Sequence, residues 1–305
     1  MPELPEVEVV RAGLAPAVTA ARIVAVTVQD DRALTRHAGS AVDFETRLVD
    51  RTVTGAARRG KFLWLPLSDD ARPGGPPLGE ALVGHLGMSG QLLLRESGAP
   101  IERHERVRLD VAHPVHGELA VLFCDQRTFG SLAIDAQVAT PDRAPGGWGT
   151  DAAAVPSQVA HIARDPLDPA FDDARWRMLL ARKDSAIKRV LLDQTVASGI
   201  GNIYADESLW AARIHPETPA RALSARAAAR LLTEVRAVLE KALAEGGTSF
   251  DAQYVNVNGQ AGYFAHSLNA YGRTGQACPR CGRPIRRDAF MNRSSHYCSV
   301  CQRRR

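Results

Sequence analysis

Four cysteines near the carboxyl terminus place the strongest constraint on how this chain can fold. Cys278 and Cys281 form one Cys-x-x-Cys pair, Cys298 and Cys301 form a second, and 16 residues separate the pairs. Such pairs let four thiolates meet at one tetrahedral ion, and the segment between them is long enough for a β-hairpin. Two disulfides are the alternative, but they are rare in a reducing cytoplasm. We therefore predict one structural Zn²⁺, which supplies much of the folding free energy of a segment too small to form its own core.

The overall composition is that of a soluble globular protein with room for two or three domains. The chain has 305 residues, of which 45% are hydrophobic and 24% are charged. It contains no apolar run that approaches the length of a membrane span and no secretory signal pattern, so we expect a cytoplasmic location and no membrane partner. The fifth cysteine, Cys124, lies in the strand-like run LAVLFCD and is expected to be a buried apolar residue.

Positive charge is concentrated at the same end of the chain as the cysteine pairs. Residues 273–305 contain nine arginines and one acidic residue, Asp288, whereas the remaining 272 residues carry a net charge of about −4. A basic module that ends a mildly acidic chain favours a polyanionic partner, and arginines on a hairpin suit a DNA groove.

Hydrophobic periodicity divides the chain before this module into three regions. Residues 1–18 show helical spacing, and from residue 22 to about 135 short apolar runs alternate with turn residues, as in a β-sandwich or barrel. Residues 168–245 return to helical spacing. Within them Gly199 and Gly201 interrupt the pattern, and a new helix is expected to begin at Asn202.

Six motifs together resemble one family, the bacterial formamidopyrimidine-DNA glycosylases. They are MPELPEVE at the start, RRGKF, HLGMSG, DQRTFG, GIGNIYADESL and the four-cysteine finger, and they follow the family's order along the whole chain. Members of this family are bifunctional repair enzymes that remove oxidised purines such as 8-oxoguanine and then cleave the strand. The chain departs from the pattern mainly through extra length near residues 68–80 and 141–150.

The resemblance implies a multi-domain α+β fold. The expected parts are an N-terminal helix with a β-sandwich, a linker, a helix-two-turn-helix domain with a lesion-capping loop, and a β-hairpin zinc finger, at residues 1–140, 141–166, 167–270 and 271–305 respectively. It also implies a monomer that acts on double-stranded DNA with oxidised purines or abasic sites, associated with the nucleoid of a bacterium.

The resemblance further implies catalytic roles for Pro2, Glu3, Lys61 and Arg293. Once Met1 is removed, the secondary amine of Pro2 would attack C1′ of the sugar and form an iminium that has no N–H proton to lose. The matching glutamate of the family is a general acid and base. The matching lysine donates a proton during β-elimination, and the matching arginine acts in δ-elimination and grips phosphate. Arginine gives up a proton with difficulty, which favours its phosphate role.

Other motif positions match residues that contact DNA in the family. Met88, Arg127 and Phe129 match a triad that enters the space left by a flipped base, where Arg127 would pair with the widowed cytosine. Further predicted DNA contacts are His85, His104, Lys183, Lys188, Asn202 and Tyr271. The glycine-rich turn before Asn202 is expected to bind phosphate through backbone N–H groups. The family's capping loop matches residues 246–264, where no base-reading residue can be assigned, and the role of Glu6 stays open.

Three alternatives compete with this interpretation: the nearest is a related glycosylase, and the other two are proteins without catalytic activity. An endonuclease VIII-type glycosylase for oxidised pyrimidines shares the proline, glutamate and finger but generally lacks the methionine and the Arg-x-Phe. A non-catalytic damaged-DNA-binding protein would have no use for Pro2, Glu3 and Lys61, and a transcription factor that used only the finger would leave the sandwich unexplained. Taken singly, Pro2 could stiffen a terminus, and Met88 and Phe129 could be core residues.

Overall fold

The chain divides into two compact units, and neither is continuous in sequence. The computed structural model describes residues 2–68, 79–248, 257–258 and 262–304. The N-terminal unit contains residues 1–2, 6–161 and 248–262, and the C-terminal unit contains residues 3–5, 162–247 and 263–305. Within the described ranges, no helix is long and apolar enough to cross a bilayer.

The N-terminal unit is built on two antiparallel sheets. A four-stranded sheet has the spatial order β1 (Arg22–Val28), β6 (Glu105–His113), β7 (Gly117–Asp125) and β5 (Gly90–Glu96). A five-stranded sheet has the order β2 (Ala57–Arg59), β3 (Phe62–Leu67), β4 (Glu80–His85), β8 (Ser131–Ala139) and β9 (Ala154–Pro156). Helix α1 (Leu4–Val18) precedes them, and helix α2 (Ala41–Leu48) follows β1. The predicted helix and β-sandwich are confirmed.

One hydrophobic core lies between these sheets and α1. Strand β6 alternates in the expected way, because Val107, Leu109 and Val111 are buried while their neighbours face outward or pair with charges. Val7 and Leu14 of α1, two helical turns apart, join the same cluster of buried side chains. The helix is therefore held by its apolar face and not by propensity alone.

Residues 141–161, which we predicted to belong to a linker, instead complete the edge of the five-stranded sheet. Strand β9 pairs with β8, and the backbone of Trp148 exchanges two hydrogen bonds with Arg58, with N···O distances of 2.9 and 3.0 Å. A Cβ atom on Gly147 would lie 2.1 Å from the carbonyl oxygen of Arg58. The glycines and prolines of this segment permit a close backbone approach, and composition alone does not distinguish that from a flexible linker.

The C-terminal unit contains the predicted helices and the finger hairpin. Its elements are α3 (Asp173–Arg182), α4 (Ile187–Leu191), α5 (Asn202–Ala211), α6 (Ala225–Ala244), β10 (Arg286–Phe290) and β11 (Arg293–Tyr297). The continuous apolar pattern at 173–194 is divided between α3 and α4. The break occurs because residues 185–187 pair with 218–220: Ala220 N donates to Ser185 O at 3.0 Å and Ile187 N donates to Thr218 O at 2.8 Å. Helix α5 begins at the predicted residue.

Candidate active site and nucleic-acid interface

The carboxylate of Glu3 is held at the N-terminus of α5. One oxygen accepts hydrogen bonds from the backbone N–H groups of Gly201 at 2.6 Å and Tyr204 at 3.3 Å, and the other accepts from Ile203 at 2.9 Å. The side chain is 2% exposed. These donors are the ones that a helix leaves without internal partners, and the helix dipole favours an anion there. We predicted that this turn binds a DNA phosphate; in the structure its N–H groups bind Glu3 instead.

The two glycines of the turn are explained by the residues that dock on it. A Cβ atom on Gly201 would lie 2.3 Å from the carboxyl carbon of Glu3. Gly199 has a φ of +87°, and its Cβ would lie 2.7 Å from that of Leu4, whose N–H donates to Gly199 O at 2.9 Å. Only glycine allows both the backbone conformation at 199 and the close approach at 201.

Two further predicted catalytic residues lie in the N-terminal unit. Pro2 is buried and directly precedes Glu3 in the chain. Lys61 is half-buried in the two-residue turn that joins β2 to β3, where Gly60 takes a left-handed conformation with a φ of +57°. A hairpin loop this short favours glycine at such a position and presents the next side chain in a defined direction.

His85 shares the surroundings of Lys61. It pairs with Phe62 across the β3–β4 ladder, with ring centroids 4.7 Å apart. Burial, together with the positive charges of Arg36 and Lys61, lowers the pKa of His85 to about 4. The imidazole is therefore neutral near pH 7. Its Nδ1 lies 3.2 Å from the backbone N of Gly87 and accepts its hydrogen, which leaves Nε2 as a hydrogen-bond donor.

The predicted triad is carried by two neighbouring connections, which we name the crossover loops: residues 86–89, between β4 and β5, and residues 126–130, between β7 and β8. Each connection passes from one sheet to the other. His85 pairs with Ser131 at one end and Gly90 pairs with Asp125 at the other, so the loops run side by side. Gly87 lies so close to the second loop that a Cβ atom added to it would be 2.4 Å from Gly130 N.

Met88, Arg127 and Phe129 all project from these crossover loops into solvent. Met88 is 38% exposed, Phe129 is 63% exposed, and Arg127 is also exposed. Two large apolar side chains beside a guanidinium are unusual on a protein surface and indicate a site of contact. The structure therefore brings the loop of Met88 beside the loop of Arg127 and Phe129, which lie about 40 positions later in the sequence.

Lys188 and Asn202, both predicted DNA contacts, hold the finger hairpin; Lys188 is fully buried, whereas Asn202 is half-buried. Lys188 is 0% exposed; its ammonium lies 2.6 Å from an Asp206 carboxylate oxygen and donates to Ser294 O at 2.8 Å. Burial lowers the pKa of Lys188, although the Asp206 charge opposes the shift. Asn202 Nδ2 also donates to Ser294 O, at 3.1 Å. As placed here, the Lys188 ammonium is not available to a phosphate, and both residues fix the position of Arg293, which precedes Ser294.

The two acids that follow in α5 were missed by sequence reasoning. Asp206 accepts a hydrogen bond from the backbone N of His296 at 2.8 Å. Glu207 accepts from the backbone N–H groups of Ala270 and Tyr271, both at 2.8 Å. Both acids are buried in a helix that packs into an apolar core, and the adjacent Asp-Glu pair within ADESL is the sequence signal that could have drawn attention to them.

Tyr271 and His104 occupy defined positions in separate units. Tyr271 is half-buried, its ring centroid lies 4.8 Å from that of His296, and burial raises its pKa. His104 has a φ of +63°, and its carbonyl oxygen accepts from Asp125 N at 2.9 Å.

A polar groove in the C-terminal unit collects several basic side chains. Its volume is about 810 Å³, and it lies between the start of α4 and the turn of the finger hairpin. Lys183, Arg189 and Arg293 line it together with two acids, Asp184 and Asp193. Lys183 donates to Asp193 at 2.8 Å, so a phosphate would compete with that carboxylate. Arg189 was missed by sequence reasoning.

The four predicted metal ligands converge. The sulfur atoms of Cys278, Cys281, Cys298 and Cys301 all lie within 4.8 Å of one another, and those of Cys281 and Cys298 are 3.5 Å apart. A tetrahedral Zn–S distance of about 2.3 Å requires S···S separations of about 3.8 Å, so the residues fit Zn²⁺. Burial alone would raise the pKa of Cys278, but hydrogen bonds from Trp210 Nε1 and from backbone N–H groups lower it to about 6.

Glu6 holds the start of the predicted capping loop. One of its carboxylate oxygens accepts from the backbone N and the hydroxyl of Thr248, both at 2.7 Å. Val257 is buried in the core of the N-terminal unit. Residues 249–256 and 259–261, which make up most of the predicted capping loop, lie outside the described residues, as does most of the insertion at 68–80.

Comparisons with known proteins define first a class. Three family models match the chain: the formamidopyrimidine-DNA glycosylase N-terminal domain at residues 1–132, the H2TH domain of the same glycosylases at 162–253, and the zinc finger found in FPG and IleRS at 275–304. The fold and the four-cysteine cluster are thus those of a DNA glycosylase with a helix-two-turn-helix domain and a zinc finger.

The chain belongs to the formamidopyrimidine-DNA glycosylase family. It is 62% identical over 303 residues to the formamidopyrimidine-DNA glycosylase of Leifsonia xyli, covering 99% of this chain and 100% of that one. It also resembles solved structures of the Lactococcus lactis Fpg protein, one in complex with DNA that contains an abasic site and one with DNA that contains FAPY-dG. For each the TM-score is 0.79 at 29% identity, covering 99% of this chain and 100% of the other.

The close approach at Gly201 generates the first prediction. Gly201→Ala should lower the free energy of unfolding by about 1–3 kcal/mol, because the new methyl group overlaps the Glu3 carboxylate and forces it off the α5 N–H groups. Chemical denaturation monitored by circular dichroism measures the change. Gly55→Ala is the matched control, since nothing lies within 4 Å of its Cβ. Equal effects of both substitutions would contradict the steric argument.

The cysteine cluster generates the second prediction. The purified protein should contain one zinc ion per chain, and Cys298→Ser should lose it, because three thiolates and a hydroxyl bind Zn²⁺ far more weakly. Metal analysis checks the stoichiometry. Cys124→Ala should keep the zinc, since Cys124 is buried in a separate cluster. DNA binding should fail in Cys298→Ser while far-ultraviolet circular dichroism still reports a folded sandwich; unchanged binding by metal-free protein would refute the role of the finger.

Proposed function

We propose that this base-excision repair glycosylase removes oxidised purines from duplex DNA through Pro2 and then cleaves the strand by β,δ-elimination. The observation that carries the proposal is the position of Glu3: the residue directly after Pro2 is a carboxylate held on the N-terminus of α5 by three backbone N–H groups. Such an arrangement fixes a proton acceptor beside the proposed nucleophile and has no evident purpose in a protein that only binds DNA.

The reaction begins at the Pro2 nitrogen. With Met1 removed, its lone pair attacks C1′ of the damaged nucleotide, the bond from C1′ to the base nitrogen breaks, and the electron pair leaves with the base, which takes up a proton. Nitrogen then loses its own proton and forms an iminium with C1′, while the bond from C1′ to the ring oxygen breaks and that oxygen takes up a proton. The iminium draws electrons from C2′, so loss of a C2′ proton expels the 3′ phosphate, and a second elimination expels the 5′ phosphate.

Glu3 moves protons during these steps. In the carboxylate form it accepts the proton that Pro2 loses on attack, and it can deliver that proton to the ring oxygen of the opening sugar. Its negative charge stabilises the cationic iminium. The three N–H donors hold it in place, which limits the reorganisation required during proton transfer.

Lys61 and Arg293 serve the later steps and the phosphates. Lys61 carries an ammonium on a short hairpin turn and is the proposed proton donor of β-elimination. Arg293 is exposed on the groove that also contains Lys183 and Arg189. A guanidinium presents several N–H donors and keeps its proton, so we assign Arg293 to phosphate binding.

The crossover loops act while the damaged base is outside the helix. Met88 fills the vacated space, Phe129 wedges the stack, and Arg127 hydrogen-bonds the widowed cytosine. Their joint exposure on adjacent loops supports this assignment, and the triad favours oxidised purines over the pyrimidine lesions of an endonuclease VIII-type enzyme. His85, whose Nε2 is a donor, and Tyr271 are assigned to phosphate. We further infer a monomer that works on nucleoid DNA in a bacterial cytoplasm.

The nucleophile generates the third prediction. A chain extended by one residue before Pro2 should retain most of its affinity for damaged duplex but lose base excision and strand cleavage, because an amide nitrogen has a delocalised lone pair and cannot attack. Borohydride trapping on duplex DNA with 8-oxoguanine opposite cytosine, followed by mass spectrometric mapping, identifies the residue that forms the adduct.

Glu3→Gln provides a second arm for this experiment. It keeps the amine, so adducts should still form at a preformed abasic site, while excision of the intact lesion drops sharply because proton transfer fails. An adduct mapped to Lys61, or full excision by the extended chain, would overturn the mechanism.

The fourth prediction concerns the difference between a base-reading contact, Arg127, and a phosphate contact, Lys183. Arg127→Ala should reduce discrimination among bases opposite the lesion by about 5- to 150-fold, the worth of about 1–3 kcal/mol for a bidentate base contact. Lys183→Ala should instead weaken binding to every duplex and flatten its salt dependence. Affinity titrations against all four opposing bases at several salt concentrations separate the two. Equal losses for all four bases in Arg127→Ala would exclude a base-reading role.

A further inference from the structure

A buried carboxylate, Asp125, connects the two crossover loops. One oxygen accepts from the Ser89 hydroxyl at 2.5 Å and from Arg127 N at 3.1 Å, and the other accepts from Gly130 N at 2.8 Å. The hydroxyl oxygen of Ser89 also accepts from Arg127 N at 3.1 Å. Asp125 is 1% exposed, and Ser89 is buried beside it. The Asp125 side chain therefore binds the backbone N–H groups of Arg127 and Gly130, at the two ends of the exposed triplet, and the hydroxyl of Ser89, the residue after Met88.

The main chain of Asp125 extends this network to a third loop. Its N–H donates to His104 O at 2.9 Å, and its carbonyl oxygen accepts from Arg106 Nε at 2.8 Å. His104 itself has a left-handed φ of +63°, a conformation that persists in a residue other than glycine only when its surroundings enforce it. Four predicted DNA contacts thus belong to this network or lie directly beside it. His104 and Arg127 form hydrogen bonds with Asp125, and Met88 and Phe129 directly precede the bonded residues Ser89 and Gly130.

The charge of Asp125 is balanced by hydrogen-bond donors alone. Among the described residues, no Lys, Arg or His forms an ion pair with its carboxylate. A buried carboxylate without a counterion is costly unless its oxygens are fully used as acceptors. Here each donor belongs to, or directly follows, a residue that is a predicted DNA contact, so the network joins the backbone segments that carry those residues.

We propose that Asp125, with Ser89, is the positioning residue that sets the geometry in which Met88, Arg127 and Phe129 enter the DNA. The proposal rests on the proposed function of these three side chains. Asp125 touches no reacting atom; it acts by fixing the backbone from which they project. Without it, the exposed triplet would lose the hydrogen bonds that Arg127 N and Gly130 N donate to the Asp125 carboxylate at its two ends.

Asparagine tests this role because it has the same shape as aspartate. An amide accepts on one atom only, so in Asp125→Asn either Gly130 N or the pair of donors at the other oxygen faces an NH₂ group. Preference for 8-oxoguanine opposite cytosine over adenine should fall by about tenfold or more, the cost of one buried donor left without an acceptor. Cleavage of single-stranded DNA at a preformed abasic site, where no opposing base exists, should change by less than about threefold.

The matched control is Asp135→Asn. Asp135 accepts from the Ser157 hydroxyl at 2.8 Å and from Gln158 N at 2.7 Å. The Asp135→Asn variant therefore loses similar hydrogen bonds at a site outside the crossover loops. It should leave the opposing-base preference unchanged. Because Asp125 acts through Arg127, the double variant with Arg127→Ala should lose no more discrimination than Arg127→Ala alone, whereas independent sites would give additive losses. Additive losses, or a preference retained in Asp125→Asn, would overturn the proposal.

A binding measurement separates this proposal from the proposed chemistry. Affinities for duplexes that carry a tetrahydrofuran abasic analogue opposite each of the four bases require no catalysis. Asp125→Asn should narrow the spread among the four affinities in the same way as Arg127→Ala. If the wild-type chain excises no base but still binds the four duplexes with different affinities, the proposed glycosylase mechanism is refuted and the positioning role is not. If Asp125→Asn shows the same range of affinities as the wild type, the positioning role is refuted.

Discussion

The C-terminal unit depends on helix α5 and the carboxylates that bind to it or belong to it. Glu3 occupies its N-terminal N–H groups, Asp206 holds the finger hairpin through His296 N and Lys188, and Glu207 holds the segment that enters the finger. Buried charges of this kind are costly when isolated, but each here is compensated by several donors. Because these contacts converge on ten residues of one helix, α5 fixes Glu3, the proposed proton-transfer group, and the finger hairpin, the proposed phosphate-binding element, relative to each other.

A second set of constraints organises the N-terminal unit at the edge where its sheets exchange strands. The crossover loops are short, so few backbone conformations can connect the sheets, and the strand register decides which side chains face solvent. His85 ends one of these strands, and burial beside two cations keeps it neutral. The sandwich therefore presents exposed apolar side chains and a neutral donor from rigid elements, which suits groups that must enter or touch a polyanion in a fixed geometry.

Periodicity and spacing predicted much of this architecture from the sequence. The strands, the start of α5 and the four thiolates could be predicted because alternation, glycine breaks and paired cysteines are local signals. The edge strand at 154–156 could not, because three residues within a glycine-rich segment carry no periodic pattern. The partners of Lys188 could not either: a lysine on an amphipathic helix is normally solvated, and only the tertiary fold places Asp206 against it. Asp125 falls in the same category: its backbone donors at 127 and 130 are near in sequence, but no local pattern indicates that Ser89, 36 residues earlier, binds the same carboxylate.

The hydrogen bond between Glu3 and Gly201 also constrains how the protein is made. Its partners are 198 residues apart in the chain. At a synthesis rate of about 5–20 residues per second, Glu3 leaves the ribosome about 10–40 s before the helix it will bind. During that interval the C-terminal unit is incomplete, because residues 3–5 have been synthesised while α5 and the finger, which belong to the same unit, have not. Glu3, the proposed proton-transfer group, is therefore synthesised well before the helix that fixes its position. A nascent chain interrupted before α5 carries the proposed nucleophile but lacks the backbone N–H groups that hold the Glu3 carboxylate in place.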